Sequence, residues 1–238
     1  MVWLCNLLLA TPSCRRYGLD AENSPVKTDD LVAMLATGAI PVAPAATAQR
    51  YALALGWGAF GATLLMAIFL GVRRDLAAAV YLPFFWVKLA FPTWLAAGAL
   101  FAATRLSRPG VRLGRLPAAL LAPILAIWLL AAFDLMNAAP SERSVLIMGN
   151  TWVVCPFLVA LLSLPLFVAA MWAMKGLAPT RLGLAGGAAG LLAGAMATMV
   201  YALHCPEMAA PFLAIWYVLG MLIPTVAGLL LGPWLLRW

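Results

Sequence analysis

The 238-residue chain is 66% hydrophobic and only 10% charged, against about 25% charged residues in an average soluble domain. With a mean hydropathy of +1.01, 15 basic and 8 acidic side chains cannot clothe a water-soluble surface. That excludes an ordinary globular enzyme and leaves an all-α, polytopic membrane protein. The net charge of +7 is divided into small groups between apolar runs, a pattern that orients membrane proteins, so no direct contact with nucleic acid is expected.

At the start, MVWLCNLLLATPSCRR has a short apolar run followed, not preceded, by its basic pair Arg15 and Arg16. Neither feature fits a secretory signal, and Thr-Pro-Ser before Cys14 fits a lipoprotein site poorly. Residues 1–25 are therefore expected to be an upstream extension, with translation starting at Val26, since a GTG codon reads as valine when internal. Cys5 and Cys14 then drop out. From Thr28 a helix start is expected: Thr28 as the cap, Asp29 and Asp30 favouring the positive end of the helix dipole. Leu31, Val32, Met34 and Leu35 follow as an apolar patch of about two turns, too short to be stable alone in water. Two readings stand open: a fraying pre-membrane segment, or a motif that folds on binding a partner. Pro41 and Pro44 read as a linker, closing an N-terminal segment at residues 26–50.

Residues 51–238 contain six apolar runs of the roughly 20 residues needed to cross a bilayer. They run from about Ala52 to Val72, Phe85 to Thr104, Pro117 to Leu135, Trp152 to Met174, Leu182 to Leu203 and Phe212 to Leu231. Pro83, Pro117, Pro140, Pro179 and Pro211 mark boundaries. Pro92, Pro123, Pro165 and Pro224 fall inside spans and suggest kinks. Six spans put both termini on one side, with Lys27, Arg50, Arg105, Arg108, Arg112, Arg115, Lys175, Arg181 and Arg237. The other side holds only Arg73, Arg74, Lys88 and Arg143, so both termini are expected in the cytoplasm. In the fifth span Gly186, Gly190 and Gly194 recur every fourth residue, as do Gly183 and Gly187, a face for close helix packing. Trp86, Trp152, Trp216 and Trp234 suit interfacial anchoring.

The few polar residues carry the functional signal. Cys155, expected one turn inside the fourth span, and Cys205, at the end of the fifth, fall at the same membrane face, and each precedes a proline. They are either two small core residues or a redox- or metal-responsive pair on the periplasmic side, where disulfides persist. His204 and Glu207 flank Cys205, and Asp134 and Glu142 fall on the same side. Cys155, Cys205 and His204, with Glu207, make a chemically sensible set of transient soft-metal ligands, although no compact zinc spacing is present and His204 also suits an interfacial cap. Asp134 near hydrocarbon calls for a partner. Lys88 is the candidate counter-ion, unless it snorkels to the interface.

Taken together, VKTDDLVAMLA, FWVKLAF, TWVVCPFLVALLSLP, YALHCPE and FLAIWYVLG resemble the NrsF-type membrane anti-sigma factors over about residues 26–238. The resemblance implies an inner-membrane protein without a cofactor that holds an extracytoplasmic-function sigma factor inactive. It implies that the N-terminal segment, with Thr28, Asp29, Asp30, Leu31 and Leu35, contributes to sigma-factor binding. It also implies that Cys155 and Cys205 are needed for the response to heavy-metal or oxidative stress. Family members begin Met-Lys-Thr-Asp-Asp-Leu, with Val26 at the Met position. Two rivals come from other classes. A small transporter calls for inverted repeats and polar groups at mid-membrane. A membrane thiol oxidoreductase calls for a CxxC pair and a relay of cysteines. Neither pattern is present, and enzymatic activity is not expected.

Overall fold

The computed structural model describes residues 28–37, 46–108, 111, 113–177 and 179–237. The expected upstream extension, Val26 and the Pro41–Pro44 linker lie outside the described residues. Two compact units divide the chain, residues 1–43 and 44–238. Within the first, α1 spans Thr28–Thr37, with Asp29 and Asp30 in its first turn and no buried residue. Thr28 is the first helical residue, so it is part of the helix where a cap was expected. Thr37 closes the other end by donating its hydroxyl to the Met34 carbonyl at 2.8 Å. Leu31, Val32, Met34 and Leu35 are all exposed.

The second unit carries six helices long and apolar enough to cross a membrane: Thr47–Leu70, Pro83–Leu106, Leu116–Asn137, Cys155–Lys175, Leu182–Ala202 and Ala210–Leu235. These are α2 with its extension, α4, α5, α7, α8, and α9 continuing into α10. No strand occurs among the described residues. Prolines fall in the first turn of α4, α5, α7 and α9, where a missing N–H costs nothing because those donors have no intrahelical partner. This corrects one expectation. Pro156 opens α7, so Cys155 is its first residue, not one turn inside it, and residues 151–154 form a turn. A short helix, α3 (Leu76–Ala79), follows the first span. Another, α6 (Pro140–Met148), fills the connection before α7 and buries nothing.

Two irregularities were not foreseen. The first span, α2 (Ala46–Leu65), ends in a π segment, Met66–Leu70. The sixth opens with α9 (Ala210–Phe212) and a second π segment, Leu213–Tyr217, before α10 (Val218–Leu235). A π turn widens the helix and frees backbone carbonyls, and such turns gather at functional sites. Both lie toward the end where α7 begins and α8 finishes.

The centre of the bundle is α8. It packs on α10, α7 and α4 and carries the glycines singled out above. A methyl group on Gly186 would collide with the Gly228 carbonyl, one on Gly190 with the Pro224 carbonyl, and one on Gly228 with the Gly186 carbonyl. Only hydrogen fits, and the two backbones meet directly, as small-residue faces allow in lipid. Thr198 on α8 and Thr225 on α10 turn their hydroxyls back onto their own helices, at the Gly194 and Met221 carbonyls. That satisfies these hydroxyls without a partner helix.

Candidate functional site

At the end where α8 finishes, the chain leaves the helix through Leu203 and His204 and runs as non-helical Cys205–Ala209. Cys205 still donates its backbone N–H to Tyr201, 3.0 Å away, which sets Tyr201 one turn below the thiol. Beyond it Pro206 lacks an N–H, so regular helix stops.

Three separate elements hold this segment. From the loop after the first span, Arg73 donates its backbone N–H to the Leu203 carbonyl at 3.1 Å. Its guanidinium reaches the Cys205 carbonyl at 3.4 Å while bonding Asp75 through two nitrogens at 2.6 and 2.7 Å. That bidentate pair keeps the guanidinium charged and holds the exposed Asp75 carboxyl down at about 2. In the same loop the Gly71 carbonyl pairs with Nδ1 of His204 at 2.9 Å; a carbonyl only accepts, so that nitrogen carries the proton. From the second span, Lys88 is fully buried, and its ammonium donates to the Cys205 and Glu207 carbonyls at 2.6 and 2.7 Å. It also lies 5.6 Å from the Tyr217 ring centre. From the connection before α7, Asn150 donates its backbone N–H to the Glu207 carboxylate at 2.8 Å. Gly149 precedes it at φ 53°, and a methyl group there would sit 2.8 Å from that carboxylate. The left-handed turn requires glycine.

Inside this frame lie Cys155 and Cys205, both free thiols and both buried. They are close enough to interact electrostatically with each other and with Lys88. Thr151 is 4.0 Å from the Cys205 sulfur. Tyr201 and Tyr217, also fully buried, stack edge-on at 5.9 Å between ring centres. Neither hydroxyl closes a hydrogen bond of ordinary geometry among the described residues.

Of the residues singled out in the sequence, Cys155, Cys205, His204 and Glu207 come together. Asp134 does not join them: its side chain makes no hydrogen bond or ion pair among the described residues. Lys88 is neither its counter-ion nor a snorkelling side chain, because two backbone carbonyls already claim it. The His204 ring is likewise engaged on Gly71, and among the described residues no three His, Cys, Asp or Glu side chains converge as a metal-binding group. Sequence reasoning missed Arg73, Tyr201 and Tyr217. Only Tyr201 left a trace, its spacing of four from Cys205 on a helix.

Residues 35–238 match the family described as NrsF, negative regulator of sigma F. The chain belongs to the NrsF family. It is 60% identical over 213 residues to a protein of Azospira oryzae named "Probable anti-sigma-F factor NrsF", covering 90% of this chain and 100% of that relative. It is 38% identical over 215 residues to the "Anti-sigma-F factor NrsF" of Caulobacter vibrioides, with 90% of this chain and 100% of the relative covered. No solved structure matches the chain.

Proposed function

We propose that this protein is an anti-sigma factor of the bacterial inner membrane, with both termini in the cytoplasm and the Cys155–Cys205 end facing the periplasm. In the resting state the N-terminal segment, residues 26–50, holds an extracytoplasmic-function sigma factor. Within it α1 offers an acidic first turn, Asp29 and Asp30, and the exposed apolar side chains of Leu31 and Leu35. Such a helix gains stability by docking on a partner. Oxidation of Cys155 and Cys205, or capture of a thiophilic metal between them, joins the ends of the fourth and fifth spans and releases the sigma factor.

The observation that carries this reading is that two thiols 50 residues apart in sequence are buried together in one polar cluster. Joining them couples α7 to α8, the helix against which α4, α7 and α10 all pack. Release requires the joined state to have the lower affinity for the partner; moving a 1:99 population to 99:1 takes about 5.5 kcal/mol, within the scale of a disulfide or a metal–thiolate link.

The test is a pull-down of the full chain from membranes, with and without Cd2+ or an oxidant, read for a co-purifying sigma factor and for thiol status. Release should follow the stimulus in the wild type and fail in Cys155→Ser and Cys205→Ser. Retention of stimulus-dependent release in both variants sinks the sensing role. A sigma factor still bound after deletion of residues 26–36 sinks the binding role.

A further inference from the structure

The junction of α2 and α7 is open on its outer side. At its floor Gly58 lets the helices approach, since a methyl group there would lie 3.0 Å from the Leu166 Cα. Trp57 and Trp172, 73% and 60% exposed, stand along it, and Leu53, Pro165 and Val168 complete a groove of about 710 Å³. Both helices are long and apolar enough to cross a membrane, so the groove is open to acyl chains. Arg50 stands at the end nearest the start of α2, about one turn before Leu53. Its guanidinium lies over the Trp172 ring, 4.5 Å from the centre. Nη2 donates to the Trp172 carbonyl at 3.1 Å, in the last turn of α7, where carbonyls lack helical partners. That uses one of five N–H groups; among the described residues Nε is shielded and unpaired. No carboxylate answers the charge, because the acidic residues of 44–238, Asp75, Asp134, Glu142 and Glu207, all belong to the opposite end of the bundle. Lys175, exposed and three residues on from Trp172, adds a second cation on the same side of α7. A fixed cation at the mouth of an apolar groove complements an amphiphile with one anionic head.

We infer that the groove between α2 and α7 binds one anionic phospholipid, with its phosphate on Arg50 and Lys175 and an acyl chain laid along Trp57 and Trp172. The planar guanidinium pairs with two phosphate oxygens at once, which an ammonium cannot do. A zwitterionic lipid carries the same phosphate but brings its own cation to a place already positive, so the site selects for net negative charge. The groove supplies what a free phosphate ion does not need, a bed for hydrocarbon.

The test is native mass spectrometry of the full chain, released from detergent that carries equal amounts of dioleoylphosphatidylglycerol and dioleoylphosphatidylcholine. The acyl chains are identical, so only the headgroup can discriminate. The wild type should retain one phosphatidylglycerol with about tenfold preference, the scale that two basic side chains supply at a membrane surface. Arg50→Gln keeps a donor for the Trp172 carbonyl and should lose that preference; a merely structural cap on α7 predicts lower stability with the preference intact. Lys175→Gln should reduce it by a smaller factor. Val168→Trp, at a position 66% exposed, fills the groove without touching a charge and should lower phosphatidylglycerol retention about tenfold. Excess glycerol 3-phosphate should displace nothing. Equal retention of the two lipids by the wild type, a preference that survives Arg50→Gln, or unchanged retention in Val168→Trp overturns the inference. Displacement by glycerol 3-phosphate overturns it too, in favour of a site for free phosphate. The wild-type comparison and Val168→Trp decide the matter even if Arg50→Gln does not fold.

Discussion

The third and fifth spans are both about 20 residues long, yet they are docked by opposite means. Of an 18-residue apolar stretch of α8, 61% lies buried inside the bundle; of the corresponding stretch of α5, 11%. The more apolar helix is the more exposed one, because lipid is as good a solvent for leucine as another helix is. What buries α8 is glycine, which lets two backbones touch. What holds α5 is a pair of indoles. Trp94 of α4 donates to the Ala119 carbonyl at 3.1 Å, the carbonyl that Pro123, four residues on, cannot bond. Trp128 of α5 donates to the Ala214 carbonyl at 3.0 Å, inside the second π segment. The peripheral helix is thus attached at points where regular hydrogen bonding fails, and the central helix along a continuous seam. A change at the Cys205 end of α8 reaches its packing partners; the same change on α5 meets mostly lipid.

Breaking the seam should have the largest effect. Gly190→Val forces a side chain against the Pro224 carbonyl, and backbone cannot yield as a flexible side chain does. A loss of about 3 kcal/mol or more is expected, the upper end of overpacking costs, measured as folded fraction in denaturant titration of the reconstituted protein. Full stability in that variant would mean α8 and α10 can part without penalty, and the contrast with α5 would collapse. Lys88→Met tests whether the end of α8 is held as firmly as its middle. It leaves the Cys205 and Glu207 carbonyls without their ammonium donor, worth about 2 kcal/mol after the recovered cost of burying a charge. Trp128→Phe keeps most of the packing and removes one N–H donor, so about 0.6 kcal/mol is expected, as for other hydrogen bonds between membrane helices.

Length and composition made the six spans legible, and the four-residue spacing of Gly186, Gly190 and Gly194 announced the seam before any partner was known. Hairpin topology alone put Cys155 and Cys205 at one face. The frame around them was not legible, for a physical reason: its acceptors are main-chain carbonyls. Nothing in the sequence marks Cys205 and Glu207 as the residues whose carbonyls lie open to Lys88, since that depends on where α8 stops and how Pro206 turns the chain. Nor does composition separate Tyr201 and Tyr217, fully buried, from the interfacial aromatics they resemble. The π segments escaped because the wide turns Met66–Leu70 and Leu213–Tyr217 contain ordinary apolar residues.

Asp134 sharpens the comparison at its smallest scale. It sits in the last turn of α5, as Tyr201 does in α8, and a charge count alone ranks it above any tyrosine as a functional residue. Its side chain is partly buried and engages no side-chain partner among the described residues, so no hydrogen bond or ion pair ties it to the bundle. Asp134→Asn should therefore change stability by less than about 0.5 kcal/mol, the range for surface substitutions, and should leave Cd2+ affinity where it was. A tenfold loss of Cd2+ binding in Asp134→Asn would place α5 in the sensing machinery after all, and would make its loose attachment a moving part instead of a peripheral one.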